Sequence, residues 1–351
     1  MTRPRPQPPA TPKPAIAPAP GTPPATRRQA LWGLGALLAG GAFLAAPRKV
    51  LAQTVDKMVR FILPVGAGSG VDTIVRAASV ALGKALGHPV VIENQPGAGG
   101  IVGTSTLVKS APDGMTLSVV SNNHVIYPSV YKSLPFDPIN DITPITVIGT
   151  TPMVLVVNPA KLPATNVKEL VALLKAKPDT YNYASSGNGT ILHLAAQMFL
   201  DEAQVKAKHI PYKGVGPMVS DLMGGQVDMG VLALPSIQAH LKSGALRAIG
   251  VGGNVRTPAA PDIPTIAEQG LPNYNMEGWF AVIGPAKLPP ADVKRIHAAV
   301  VAAYAAPDVK DVMLKQGNSI NPSSPEFAAQ YFRTELAKYA QLVKKGGVEV
   351  Q

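Results

Sequence analysis

No cysteine occurs in the 351 residues. Its absence excludes disulfides, thiolate metal sites, iron–sulfur clusters and a cysteine nucleophile. Histidine is sparse as well: the six, at 88, 124, 193, 209, 240 and 297, include no pair spaced three or four apart. No helix therefore presents two imidazoles to one metal. The EF-hand, His-Glu-x-x-His, Walker A and Gly-x-Ser-x-Gly patterns are all missing, so no metal, no cofactor and no catalytic residue is expected. Gly97-Ala98-Gly99-Gly100-Ile101-Val102-Gly103 misses the dinucleotide-binding glycine spacing by one residue. Acids are absent from residues 1–52, which carry Arg3, Arg5, Lys13, Arg27, Arg28, Arg48 and Lys49. The remaining 299 residues hold 25 basic and 21 acidic side chains, so most of the net +11 belongs to the N-terminus. That placement argues against a nucleic-acid partner, since such proteins cluster basic charge on the folded domain.

What the first 52 residues do contain is an export signal. Ten prolines lie among residues 1–26, too many to pack. Arg27-Arg28 then precedes the apolar run 30–46, 17 residues diluted by four glycines. That is shorter and weaker than the ~20 apolar residues of a spanning helix. Val50-Leu51-Ala52 ends the region in a small-residue cleavage pattern. A twin arginine ahead of a mild apolar stretch resembles a twin-arginine signal; an ordinary secretory signal with a chance arginine pair is the alternative. Either places the mature chain, from near Gln53, in the periplasm. No later run is long and apolar enough to cross a bilayer.

The other 299 residues suit two domains. Strand patterns at 59–64, 90–93, 116–121, 154–157, 181–184, 208–210, 227–232 and 246–251 alternate with helical spacing at 71–86, 167–177, 190–202, 217–223 and 236–242. Helices alone follow at 291–305, 308–315 and 325–345. Alternation of this kind predicts mostly parallel sheets flanked by helices.

Two strand-to-helix loops stand out. The first is Pro64-Val65-Gly66-Ala67-Gly68-Ser69-Gly70-Val71-Asp72. Its glycines admit close backbone approach, and the N–H groups of the following helix would attract an anion. The plainer reading is a capped helix, with Ser69 as N-cap and Asp72 closing a capping-box-like turn. Ala184-Ser185-Ser186-Gly187-Asn188-Gly189-Thr190 repeats the design, with His193 one turn in. It carries the same pair of readings.

With their neighbours, these loops resemble the extracytoplasmic solute-binding proteins of tripartite tricarboxylate transporters, the Bug family. The matches run in family order: Pro64…Gly68…Asp72, Asn94-Gln95-Pro96-Gly97-Ala98-Gly99-Gly100 and Ala111-Pro112-Asp113-Gly114. Then come Tyr183 to Leu194, Pro211-Tyr212-Lys213-Gly214, Asp221…Asp228, Pro264 to Gly270 and Trp279-Phe280…Gly284-Pro285-Ala286. The resemblance implies an α/β, two-domain hinged periplasmic-binding-protein-like fold, each domain a mostly parallel sheet flanked by helices, with two interdomain crossings. The domains are expected over 54–155 with 282–351 and over 156–281, crossing near 154–158 and 278–284. It further implies a carboxylate between the domains. The ligand-binding residues carried over are Ala67, Gly68, Ser69, Gly70 and Asp72, the turn Ser121, Asn122 and His124, and Ser185, Ser186, Gly187, Asn188, Gly189, Thr190 and His193. The chain departs from the family pattern at Gly68-Ser69-Gly70-Val71, where the hydroxyl has moved, and at Leu232-Ala233-Leu234-Pro235, where a polar strand end is usual.

That apolar strand end offers no partner for a ligand ammonium, and burying an unpaired charge is costly. Asp228 sits at the far end of its strand, and Asp72 is occupied as a helix-start acid. Apolar mono- or dicarboxylates are therefore expected over aspartate, glutamate or citrate, with Arg76 and Lys213 the cations that could still turn inward. The expected role is that of a monomeric binding protein delivering this carboxylate to membrane transporter subunits. A ligand sensor docking on a membrane receptor, or an exported enzyme on the same fold, are the alternatives.

Overall fold

Val59, Phe61, Ile62 and Leu63 are almost wholly buried, and this apolar run forms the strand from which the architecture grows. The structure is a computed structural model that describes residues 57–345 and 350. The twin-arginine pattern and the cleavage pattern lie outside the described residues. The described residues form one compact unit.

In chain order the elements are β1 (Val59–Leu63), α1 (Gly70–Leu86), β2 (Val90–Asn94), α2 (Ile101–Val108), β3 (Thr116–Ser121) and α3 (Asn123–Val130). Next come β4 (Ile142–Val157), α4 (Val167–Ala176), β5 (Asn182–Ser185), α5 (Ile191–Ala203), β6 (Lys208–Pro211), α6 (Val215–Met223) and β7 (Met229–Ala233). The chain ends with α7 (Leu234–Lys242), β8 (Arg247–Val251), β9 (Glu277–Pro285), α8 (Pro290–Ala305), α9 (Pro307–Lys315), β10 (Ser319–Ile320) and α10 (Pro325–Lys345). The strands join in the order β2-β1-β3-β9-β4-β7-β5-β6, with β8 and β10 also on β4.

Pairing is parallel at both outer ends, β1 with β2 and β3, and β5 with β6 and β7. The strands that join the two ends run antiparallel to their neighbours. β4 is the shared element. Its residues 142–152 pair with β9, and from Met153 to Val157 it pairs with β7 and β8 instead. The change of partner thus falls between Pro152 and Met153, just before the expected 154–158. The return differs more: the chain leaves β8 at Val251 and rejoins at Glu277, so Gly278–Gly284 lies inside β9.

The buried side chains form two clusters. In one, around β1, β3 and β9, residues Phe61, Leu63, Ile74, Phe280, Ile296 and Tyr304 pack together. The other runs from β4 and β7, with Val154, Phe199, Val231 and Ile237, on to β3, β9 and α10, with Val120, Ala281 and Phe332. Each such side chain contributes roughly 1.5–3 kcal/mol by leaving water. The capping acid of α4 shows how local signals set boundaries: Asn166 accepts from Glu169 N–H at 2.9 Å, and Glu169 Oε2 accepts from Thr165 N–H at 2.8 Å.

Candidate functional site

The loops after β1 and β5 come together, and between them lie two neighbouring chambers. The outer has a volume of about 220 Å³ and is walled by Pro64–Gly66, Pro96–Gly100, Ser186–Asn188, Thr190, Tyr131 and Tyr212–Val215. The inner, about 60 Å³, is walled by Ser69–Val71, Ser121–Asn123, Ile191, Leu192, Thr151, Met153, Ser236 and Trp279 among others. Val65, Ser69, Asn123, Ser186 and Val215 line both, so the two adjoin. A larger hollow of about 330 Å³ lies between the flank of α5 and the end of α10. No helix N-terminus faces that hollow, whereas several converge on the two chambers.

The β1–α1 loop is built as a capping box. Ser69 Oγ accepts from Asp72 N–H at 3.2 Å, and Asp72 Oδ2 accepts from Gly68 N–H at 2.9 Å. Arg76 Nε and Asn94 Nδ2 donate to Asp72 Oδ1 at 2.8 and 2.9 Å. Burial pushes the Asp72 carboxyl up, but the donors Arg76, Gly68 and Asn94 outweigh it and hold it below its ordinary value. Asp72 is thus spent on shaping the loop and lines neither chamber. Arg76 is turned to Asp72 and Asn94, away from the space. Ala67 and Gly68 are exposed and also line neither chamber, so of the five carried-over residues of this loop only Ser69 and Gly70 face inward. Gly70 permits the approach of the opposite side: a Cβ there would come within 2.8 Å of the Ala233 Cβ.

The β5–α5 loop is held from beneath by two histidines. His209 pairs in register with Tyr183, and the rings stack. His193 stacks on His209 with centroids 3.9 Å apart. His193 Nδ1 accepts from Gly189 N–H at 3.0 Å, so the ring proton must sit on Nε2. The Ser185 hydroxyl bonds His209 Nε2 at 2.6 Å. Burial, and for His193 also the neighbouring His209, brings both imidazoles down to about 4. They are neutral supports, and neither lines the space. Ser185 and Gly189 are likewise interior. Gly189 has φ +65°, and a Cβ there would overlap the Val130 side chain of α3. Ser186, Gly187, Asn188 and Thr190 are the residues of this loop that face the cavity. Thr190 doubles as N-cap, its Oγ1 accepting from His193 N–H.

The turn after β3 divides. Ser121 and Asn122 reach the inner chamber. Asn122 is anchored: Nδ2 donates to Tyr339 Oη at 2.6 Å and Oδ1 accepts from Trp279 N–H at 3.0 Å. His124 turns away into a nest of Phe136, Tyr127 and Phe332, its Nε2 bonded to the Pro138 carbonyl. Burial lowers it to about 4, so it belongs to the core.

Several lining residues lie outside the carried-over set. Pro96–Gly100 and Tyr212–Gly214 were visible only as matched motifs. Asn123 is an interior strut, its Oδ1 accepting from Ile191 N–H at 2.8 Å. Thr151, Met153, Ser236 and Trp279 come from strands and a helix with no polar-loop signal at all. The field inside favours an anion. First-turn residues of α1, α3, α5, α6 and α7 line the space, and their early N–H groups lack intrahelical acceptors. Among the described residues Lys213 is the lining cation, and no Asp or Glu lines either chamber. Asp228 lies at the far end of β7, accepting from Asn182 N–H at 2.8 Å.

Residues 74–348 match the model of the tripartite tricarboxylate transporter family receptor. The periplasmic binding protein BugD superposes with a TM-score of 0.80 at 30% identity, covering 84% of this chain and 99% of that one. An R. palustris protein determined with adipate gives 0.80 at 28%, over 83% and 98%. MatC from Rhodopseudomonas palustris, with bound malate, gives 0.77 at 27%, over 82% and 98%. The loops, the sheet and these likenesses agree: the chain belongs to the tripartite tricarboxylate transporter receptor family, the Bug-type periplasmic solute-binding proteins.

Proposed function

We propose that this protein captures a small organic carboxylate in the two chambers and delivers it to the membrane subunits of a tripartite tricarboxylate-type transporter. The observation that carries the reading is the set of helix N-termini meeting in a space lined by no acid. Such a space stabilises a carboxylate without metal and leaves an ammonium unpaired. Adipate and malate, held by the two R. palustris relatives, are ligands of that type. The ligand sites proposed are Ser69, Gly70, Ser121, Asn122, Ser186, Gly187, Asn188 and Thr190, supported from behind by Asp72, Ser185, Gly189 and His193. Apolar mono- or dicarboxylates are favoured over amino acids, since no acid among the described lining residues pairs an ammonium.

The two ends of the sheet act as domains, 54–155 with 282–351 and 156–281, linked by β4 and by the return through 252–276. Ligand contacts from both ends draw them together, because only the closed form makes every contact. The chain works as a monomer in the periplasm, reached by the twin-arginine route with cleavage near Ala52. A thermal-shift screen of residues 53–351 against mono-, di- and tricarboxylates tests the reading. A ligand at about 100 times its Kd adds about 2.7 kcal/mol, a plain rise in Tm. No shift with any carboxylate sinks it. Small-angle scattering should show a smaller radius of gyration with saturating ligand.

A further inference from the structure

Most hydroxyls around the two chambers are already engaged. Ser69 caps α1, Thr190 caps α5, and Ser185 bonds His209. Two are not. Thr151 is only 6% exposed and its Oγ1 has no hydrogen-bond partner; Ser236 Oγ is buried and equally unpartnered. Both line the inner chamber. They arrive there from separate elements, Thr151 from β4 just before it changes partners and Ser236 from the first turn of α7. Buried hydroxyls are ordinarily paired, so two spare donors in one small space call for an acceptor.

The rest of the inner chamber says what kind. Gly70 and Val71 open α1 and Leu192 opens α5, and first-turn N–H groups lack intrahelical acceptors. Among the described residues, no Lys, Arg, Asp or Glu lines the chamber. The volume, about 60 Å³, is room for a carboxylate with its adjoining carbon. Lys213, by contrast, lies on the outer chamber.

We infer that the inner chamber is a second anion subsite of this binding protein, in which Thr151 and Ser236 donate to one carboxylate while the ligand's other carboxylate stays in the outer chamber near Lys213. The inference rests on the carboxylate reading above and narrows it to two-ended ligands, with Thr151 and Ser236 as the residues that select them.

Calorimetric titration of the full-length protein with adipate, succinate and malate, against hexanoate and butyrate as one-ended counterparts, tests this. At least one dicarboxylate should bind ten times or more tighter than its one-ended counterpart. Thr151→Val should cost that ligand at least tenfold, Ser236→Ala a similar factor, and Thr151→Ser should retain binding. The unliganded Thr151→Val protein should melt no lower than the parent, because the lost hydroxyl had no partner to lose. One-ended and two-ended ligands binding alike, or Thr151→Val and Ser236→Ala both binding like the parent, overturns the second subsite and leaves the carboxylate function standing. Ordered water alone in the inner chamber of a crystal with bound dicarboxylate overturns it too. No heat with any of the five removes the carboxylate reading and this subsite with it.

Discussion

Lowering the pH should destabilise this protein well above the range where its carboxylates titrate. His124, His193 and His209 each fall from an ordinary 6.5 to about 4 in the folded chain, chiefly through burial. The unfolded chain therefore takes up these protons first, and stability is lost as pH drops from 6.5 towards 4. Between 6.5 and 5, buried His124 and His193 each cost about 1.5 × 1.36, or about 2 kcal/mol. Half-buried His209, screened by solvent, adds about 1 kcal/mol, so the three together cost up to about 5 kcal/mol. Glu277, whose carboxyl burial raises, offsets a little of this. The loss reaches the cavity, because a proton on His193 Nδ1 removes the acceptor of Gly189 N–H and frees the β5–α5 loop. Urea melts at pH 7.5, 6 and 5 measure the slope, and the imidazole proton shifts assign it. Stability that is flat or rising between pH 7 and 5, or three histidines titrating near 6.5, refutes the reasoning.

Gly189→Ala should destabilise by about 2–5 kcal/mol, from left-handed backbone and overlap with Val130. Gly68→Ala, where no atom lies within 4 Å, should cost only about 1 kcal/mol; urea melts of both, and of Gly189→Ala combined with Val130→Ala, separate strain from overlap. Lys213→Met should weaken a dicarboxylate about fivefold at low salt and hardly at all near 1 M, read by titration at both. In residues 53–351 the sole tryptophan is Trp279, which lines the inner chamber, so bound adipate should change the protein's tryptophan emission.

The sequence revealed those parts of the molecule whose chemistry is local. Ser69 and Asp72 announced a capped helix because N-caps are three-residue signals, and the same holds for Thr190. The β5–α5 loop declared itself through small polar residues between a strand and a helix. What stayed hidden depends on partners far along the chain. The first eleven residues of β4, interrupted by Pro144, Gly149 and Pro152, lie outside the 154–157 strand pattern, yet they pair with β9 with a register shift near Pro144. Helix α3 is eight residues long with Pro128 inside it and has too little periodicity to show. His193 and His209 gave no metal-like spacing, and it is the parallel pairing of β5 with β6 that stacks them. Thr151, Ser236 and Trp279 each look like ordinary core residues until β4, α7 and β9 close around one space. His124, by contrast, looked available and is occupied in the core.

The central claim is that the cavity holds an organic carboxylate and has no place for an amine. Calorimetric titration of residues 53–351 with succinate, adipate, benzoate and glutamate, with and without EDTA, tests it most directly. The account predicts one-site binding of an amine-free carboxylate, unchanged by EDTA, and weak or no heat from glutamate. Micromolar glutamate binding with little response to the others, or binding abolished by EDTA, would contradict it.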